Sequence, residues 1–245
     1  MTDFRPALAD AARDYRLLLD RGYPEKASGG LVGNRHRLDA DERLMLFRGV
    51  ASKVDSARRR GRLGEPRGGE LVLLDAYNVA FTLVHYFLGK PCFLCSDGFL
   101  RDAGANYGRV SRDDLLGRAF GELAEFLRFR GLTLEAFLDA PVSRSGDHAA
   151  TLRGVLAAAD VSAEVRLERS ADGAIVARVD ALSRPVLVAG SDSILVDRSP
   201  AAWDLARDLL ETKYRADFPD FAVALDDASD DAHDVARPGS PFGAT

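Results

Sequence analysis

Three short apolar runs limit what this chain can become. Leu71-Val-Leu-Leu74, Leu134-Glu-Ala-Phe-Leu138 and Pro185-Val-Leu-Val-Ala189 are each about strand length, and each leads into an aspartate: Asp75, Asp139 and Asp192. Short, nearly continuous apolar runs suit strands covered on both faces, as in a parallel sheet packed between helices. Segments with helical spacing separate them, over residues 76–88, 112–130, 147–159, 172–182 and 200–214. Two more short strands are expected, at Pro91–Cys95 and Val165–Leu167. Strands alternating with helices imply right-handed crossovers, so the strand ends all point one way. The predicted fold class is α/β: a three-layer α/β/α domain with a mainly parallel sheet over residues 70–216.

The first 62 residues follow a different pattern. Leu8, Ala11, Ala12, Tyr15, Leu18 and Leu19 make one stripe of a helix over 6–20. Gly22 ends it, and Pro24 opens a shorter helix that stops near Gly33. Asp39 with Glu42 resembles a capping box. It starts a third helix, with Leu44, Phe47, Val50 and Val54 inward and Arg58, Arg59, Arg60 and Arg62 at its end, where cations suit the dipole. This predicts a small all-α N-terminal module over 1–62 and a glycine-rich linker over 63–69. An acidic tail spans 217–245, with disorder expected from about Asp226.

Charge sharpens the division. The net charge of −5 separates into +5 for residues 1–67, −4 for 68–216 and −6 for 217–245. A basic head before an acidic middle suits a polyanion held near a carboxylate site; a solvated helical face is the plainer reading. No basic-then-apolar leader opens the chain, and no uncharged apolar run approaches membrane-spanning length. A soluble cytoplasmic protein that engages no membrane is expected. Cys92 and Cys95 lie in an apolar run with no second pair, so they read as buried hydrophobes rather than a redox or zinc site.

At the shared edge, Asp75, Asp139 and Asp192 repel one another unless protons or cations compensate. Asp172, at the start of its helix, and the loop residue Asp97 can reach the same edge. Oxygen ligands of this kind suit Mg2+ or Mn2+, which activate water and stabilise a leaving oxygen. The competing reading is that each aspartate caps its own helix. Ser143, Arg144 and Ser145 precede a helix amino terminus and form either an anion cradle or an ordinary N-cap. Asn34, Arg35 and Arg37 suit phosphate contacts at a turn, or else a helix C-cap with solvated arginines.

In this order the pieces resemble a known superfamily. A strand ending Asp75-x-x-Asn78, then Arg169-Ser-x-Asp172 opening a helix with Val-Asp-Ala-Leu, then strand-Gly190-Ser-Asp-Ser193, is similar to the PIN/NYN nucleases. Leu31-Val-Gly-Asn-Arg35 with Asp139-Ala-Pro-Val-Ser-Arg-Ser-Gly146 more closely resembles domain-of-unknown-function family 434, a helical head joined to a PIN-like domain, over roughly residues 8–210. The resemblance implies metal-dependent cleavage of RNA, with DNA as a second substrate. Its metal and catalytic positions map onto Asp75, Asp172 and Asp192, with Asn78 beside the first and Asp139 as a fourth acid. Ser143, Arg144, Ser145, Arg35 and Arg37 are the candidate substrate contacts, and a homodimer is left open. Two positions depart from the superfamily pattern: Ala76 stands where many members have glycine, and Ile194 where they have an acid, for which Asp197 is a candidate substitute. The missing acid at Ile194 favours the alternative of a PIN-like module that binds RNA or protein without cutting. A haloacid-dehalogenase phosphatase is disfavoured because Tyr77 occupies the place of its second acid.

Overall fold

A computed structural model describes residues 3–104, 113–182, 184 and 186–226. The head contains α1 (Pro6–Asp20), α2 (Glu25–Arg35), α3 (Ala40–Gly49) and α4 (Lys53–Arg60). The Asp39 capping box is formed in both directions: Asp39 Oδ1 accepts from Glu42 N at 2.9 Å, and Glu42 Oε2 accepts from Asp39 N at 3.0 Å. The predicted third helix is two. Val50 is extended, and the Ser52 hydroxyl accepts from Asp55 N at 3.1 Å, so a second cap starts a new helix where continuation was expected. The break re-aims the stripe: Leu46 and Val50 are buried, whereas Phe47 and Val54 are exposed.

The α/β region follows as β1 (Leu71–Asp75), α5 (Ala76–Phe87), β2 (Cys92–Leu94), β3 (Leu100–Asp102), α6 (Asp113–Leu127), β4 (Thr133–Asp139), α7 (Ser145–Ala158), β5 (Ser162–Glu168), α8 (Ala171–Ala181), β6 (Leu187–Ala189), α9 (Ser193–Arg198), β7 (Ala201–Trp203), α10 (Leu205–Tyr214) and α11 (Phe221–Asp226). Five strands form one parallel sheet in the order β5-β4-β1-β6-β7. Its two faces carry separate cores. Val72, Leu74, Ala136, Leu138 and Ala189 pack with the α5, α6, α7 and α10 layer, while Leu71, Leu73, Phe137 and Val188 pack with α8 and α9. This is the expected three-layer architecture. The strand order reverses at β1, which opens a crevice beyond the carboxyl ends of β1 and β6, where such sheets bind ligands.

Several expectations are corrected. The Pro91–Cys95 strand leaves the main sheet and pairs antiparallel with β3. Residues 201–203 form a strand, and Asp204 caps the helix that follows, which shortens the expected 200–214 helix. The linker pairs with the sheet's edge: Gly64 N donates to Ala202 O at 2.9 Å and Ala202 N to Arg62 O at 2.7 Å. Part of the acidic tail is helical. Phe221 of α11 is fully buried with Tyr15, Leu46, Phe93 and Cys95, in a core that joins the head to the β2–β3 hairpin. Full burial of one phenyl side chain contributes about 1.5–3 kcal/mol. The disorder expected beyond Asp226 falls outside the described residues. Among the described residues, no helix is long and apolar enough to cross a membrane.

Candidate functional site

Asp75 ends β1 and caps α5, accepting from Asn78 N at 3.1 Å. It is only 6% exposed. Burial pushes its carboxyl well above the usual range; the Asn78 N–H pulls the other way, and repulsion from Asp172 and Asp139 adds to the rise. Asp172, in the first turn of α8, is pushed up as well, by burial and then by Asp192, with Asp139 adding. The Asp75 and Asp172 carboxyls lie within hydrogen-bonding reach of each other. Among the described residues neither forms an ion pair. Acids from four separate segments thus act on one another at a single edge of the sheet.

The capping reading holds alongside this for Asp75 and Asp192, which cap the helices that follow them, but not for Asp139, which bonds the start of α8 and leaves α7 uncapped. Asp139 accepts from Ala171 N at 2.9 Å, and Asp192 caps α9 by accepting from Ile194 N at 2.8 Å and Leu195 N at 3.2 Å. These bonds aim the side chains. Asp172 differs, because Ser170 caps α8 in its place, through Gly173 N at 3.2 Å. Among the described residues no three His, Cys, Asp or Glu side chains converge as a closed metal-ligand group. An all-oxygen donor set still fits magnesium or manganese, since magnesium takes one or two carboxylates and completes its shell with water and substrate phosphate.

A cleft of about 250 Å³ opens between this edge and the head. Asn78 and Asp192 border it from the sheet, and Phe47 and Arg48 border it from α3. Asn78 Oδ1 accepts from Ser191 N at 2.8 Å and from the Ser191 hydroxyl at 3.3 Å, which fixes the amide across the β1–β6 crevice. Asp97, expected at the edge, is instead neutralised: it is 1% exposed, receives Arg101 at 3.0 Å through both nitrogens, and has Arg59 at 3.6 Å. Asp197 does not replace the acid missing at Ile194. Arg59 at 2.8 Å and Arg58 at 3.1 Å claim it, and their hydrogen bonds overcome its burial and hold it below the usual range.

The proposed phosphate contacts fall in two places, neither lining the cleft. Ser143 and Arg144 sit in the loop after β4, and Ser145 is the first residue of α7. The Ser145 hydroxyl donates to Ala140 O at 2.9 Å, and Arg144, in a left-handed conformation, pairs with Asp147 at 3.1 Å. Arg35 and Arg37 lie exposed at and beyond the end of α2, with Arg35 at 3.6 Å from Asp14.

Residues 65–208 match the family described as Domain of unknown function (DUF5616). The chain belongs to this family. Residues 7–62 match a second description, Protein of unknown function (DUF434), so the resemblance to family 434 is borne out over the helical head, and the DUF5616 region has a description of its own. An uncharacterized protein of Methanocaldococcus jannaschii is 26% identical over 192 residues, covering 78% of this chain and 89% of that protein. No solved structure matches the chain.

The buried polar groups of the DUF5616 region that the sequence candidates omit include His85, Asp102 and Asp204. Asp204 repeats the strand-then-aspartate signal after Ala201-Ala-Trp203 and is recoverable by that rule. His85 and Asp102 meet only through the packing of α5 on β3, which no local spacing discloses.

Proposed function

We propose that the carboxyl edge of the DUF5616 region is a cytoplasmic, PIN-like phosphodiesterase site that hydrolyses RNA, with DNA as a second substrate. Asp75, Asp139, Asp172 and Asp192 would hold the divalent cation, magnesium or manganese. The observation that carries this reading is the burial of Asp75 against Asp172 with no guanidinium on either among the described residues. Like charges so placed are relieved by a cation. When bound, that ion supplies an activated water and stabilises the leaving oxygen. Asn78, with Oδ1 already engaged, presents its amide nitrogen as a donor to water or phosphate. Arg48 lies on the opposite wall of the cleft as a phosphate contact, and Ser143 and Arg144 extend the track along the β4 end. The test is cleavage of single-stranded RNA with Mn2+ by wild type and by the Asp75→Asn/Asp192→Asn double variant. Cleavage by the wild type alone is expected; equal cleavage by both sinks the assignment.

A second reading rests on Ile194, which is 67% exposed where an acid is expected, together with the lack of a converging ligand trio among the described residues. In it, the same edge binds RNA without cutting. Salt-sensitive RNA binding that persists in the double variant and without metal distinguishes it.

A further inference from the structure

The two edges of the five-stranded sheet differ. β7 is met by the linker at Leu63 and Gly64, which closes that side. β5 ends the other side, and among the described residues no strand pairs with its outer edge. Ala140 N donates to Glu168 O at 2.7 Å, so Glu168 turns its peptide groups toward β4, and by strand alternation so do Arg166, Glu164 and Ser162. Ala163, Val165 and Leu167 therefore turn their N–H and C=O groups outward. Among the described residues only the Val165 carbonyl has a partner there, Arg153 Nη2 at 2.8 Å, and that oxygen keeps a second lone pair.

An open edge invites another strand. Prolines, bulges and short strands are the usual protection, and β5 has none of them: it runs seven residues in unbroken register with β4. It does carry charges, but their order fits a second copy rather than repelling it. Ser162-Ala-Glu-Val-Arg-Leu-Glu168 is complementary to itself when two copies run antiparallel about Val165. Glu164 then faces the partner's Arg166, Arg166 faces the partner's Glu164, and Ala163 faces the partner's Leu167. The outward residues make the hydrogen-bonded pairs, about six bonds in all, and the two Glu–Arg pairs fall where opposing side chains come closest. Within the chain Glu164 and Arg166 already pair at 2.7 Å, and Arg166 lies 3.4 Å from Glu135, so the two-fold merges two such groups into one alternating network. On the other face Leu167, which is 38% exposed, and Ala163 lose contact with water.

We propose that the outer edge of β5 is a homodimer interface, at which two copies join antiparallel into one ten-stranded sheet. The contact is isologous, so it closes at two copies. The acidic carboxyl edges of the two sheets then point in opposite directions and both stay open, so the proposal stands whatever that edge binds.

Sedimentation equilibrium of the full chain tests the interface. The wild type is expected at twice the mass of one chain. Glu164→Arg sets arginine against arginine twice and should weaken the dimer by about tenfold or more; Glu164 is exposed, so the fold is spared. Arg166→Glu should weaken it likewise, and mixing the two variants should restore dimers, because every glutamate then has an arginine opposite. Leu167→Pro removes an outward N–H that pairs with nothing among the described residues, so it should give monomers with the native circular dichroism spectrum. A wild type that stays monomeric up to about 100 μM overturns the proposal. A dimer of undiminished strength in Glu164→Arg and Leu167→Pro overturns it as well, by placing the contact elsewhere. Folded charge variants that fail to recover on mixing reject the antiparallel pairing about Val165.

Discussion

Asp204→Asn tests, in a residue outside the acidic cluster, whether burial governs carboxylates along this edge. Asp204 follows β7, is 6% exposed, and accepts from Leu100 N at 2.5 Å and Arg207 N at 3.2 Å. Burial lifts its carboxyl from 3.8 to about 7, against the pull of those two N–H groups and of Arg207 and Arg101. At about 1.4 kcal/mol per unit, three units correspond to about 4 kcal/mol. The folded state holds this proton more tightly than the unfolded state. Its contribution is therefore intact below 3.8 and is lost as pH climbs toward 7. Asparagine keeps the helix cap but has one acceptor oxygen for two N–H groups, which costs about 1 kcal/mol at every pH. The variant should thus be about 1 kcal/mol less stable than wild type at about pH 3 and about 3 kcal/mol more stable at about pH 8. Urea unfolding at the two pH values measures both differences. A difference that stays flat with pH, or slopes the other way, would mean that Asp204 is ionised in the fold. The same burial argument would then fail for Asp75.

Two further perturbations probe how the head meets the sheet. Arg59→Met removes a two-pronged contact to Asp197, at 3.0 and 2.8 Å, and should cost about 1–3 kcal/mol, less than a fully buried pair because Arg58 remains; a double-mutant cycle with Asp197→Asn that returns no coupling rejects this. Gly49→Ala places a Cβ 2.3 Å from the buried Phe221 ring and should lower stability by about 1–3 kcal/mol, whereas Gly30→Ala, with nothing within 4 Å in the middle of α2, should raise it by up to about 1 kcal/mol; thermal melts that rank the two in the opposite order refute the packing assignment.

The layer architecture was legible because β1, β4 and β6 carry apolar residues on both faces, and that pattern admits few alternatives. Elements that depend on tertiary partners were not. Ala201-Ala-Trp203 continues smoothly into a helical pattern, and it becomes a strand because β6 offers it an open edge. Phe221 sits in an acidic stretch, and α11 exists as packing on the head rather than as a local preference. The split at Val50 was readable in principle, since Ser52 with Asp55 repeats the cap signal of Asp39 with Glu42; the hydrophobic spacing through Val54 masked it.

For the site, the strand-end rule selects four aspartates in the parallel sheet, Asp75, Asp139, Asp192 and Asp204, and it cannot rank them. What covers each end decides its chemistry. The β2–β3 hairpin closes over Asp204 with the Leu100 N–H, and arginines from the head and from β3 neutralise Asp197 and Asp97. Leu100, Arg58 and Arg59 lie far from their acids in the chain, and Arg101 reaches Asp97 only because β3 turns back on β2, so no spacing marks them. Asp75 and Asp172 differ because their nearest charged neighbours are other acids. The head thus bears on function in two ways. It removes Asp97 and Asp197 from the available acids, and it sets Phe47 and Arg48 opposite Asn78 and Asp192. Loosening the head with Arg59→Met should therefore impair strand binding in the cleft even though Arg59 pairs with acids rather than with a ligand.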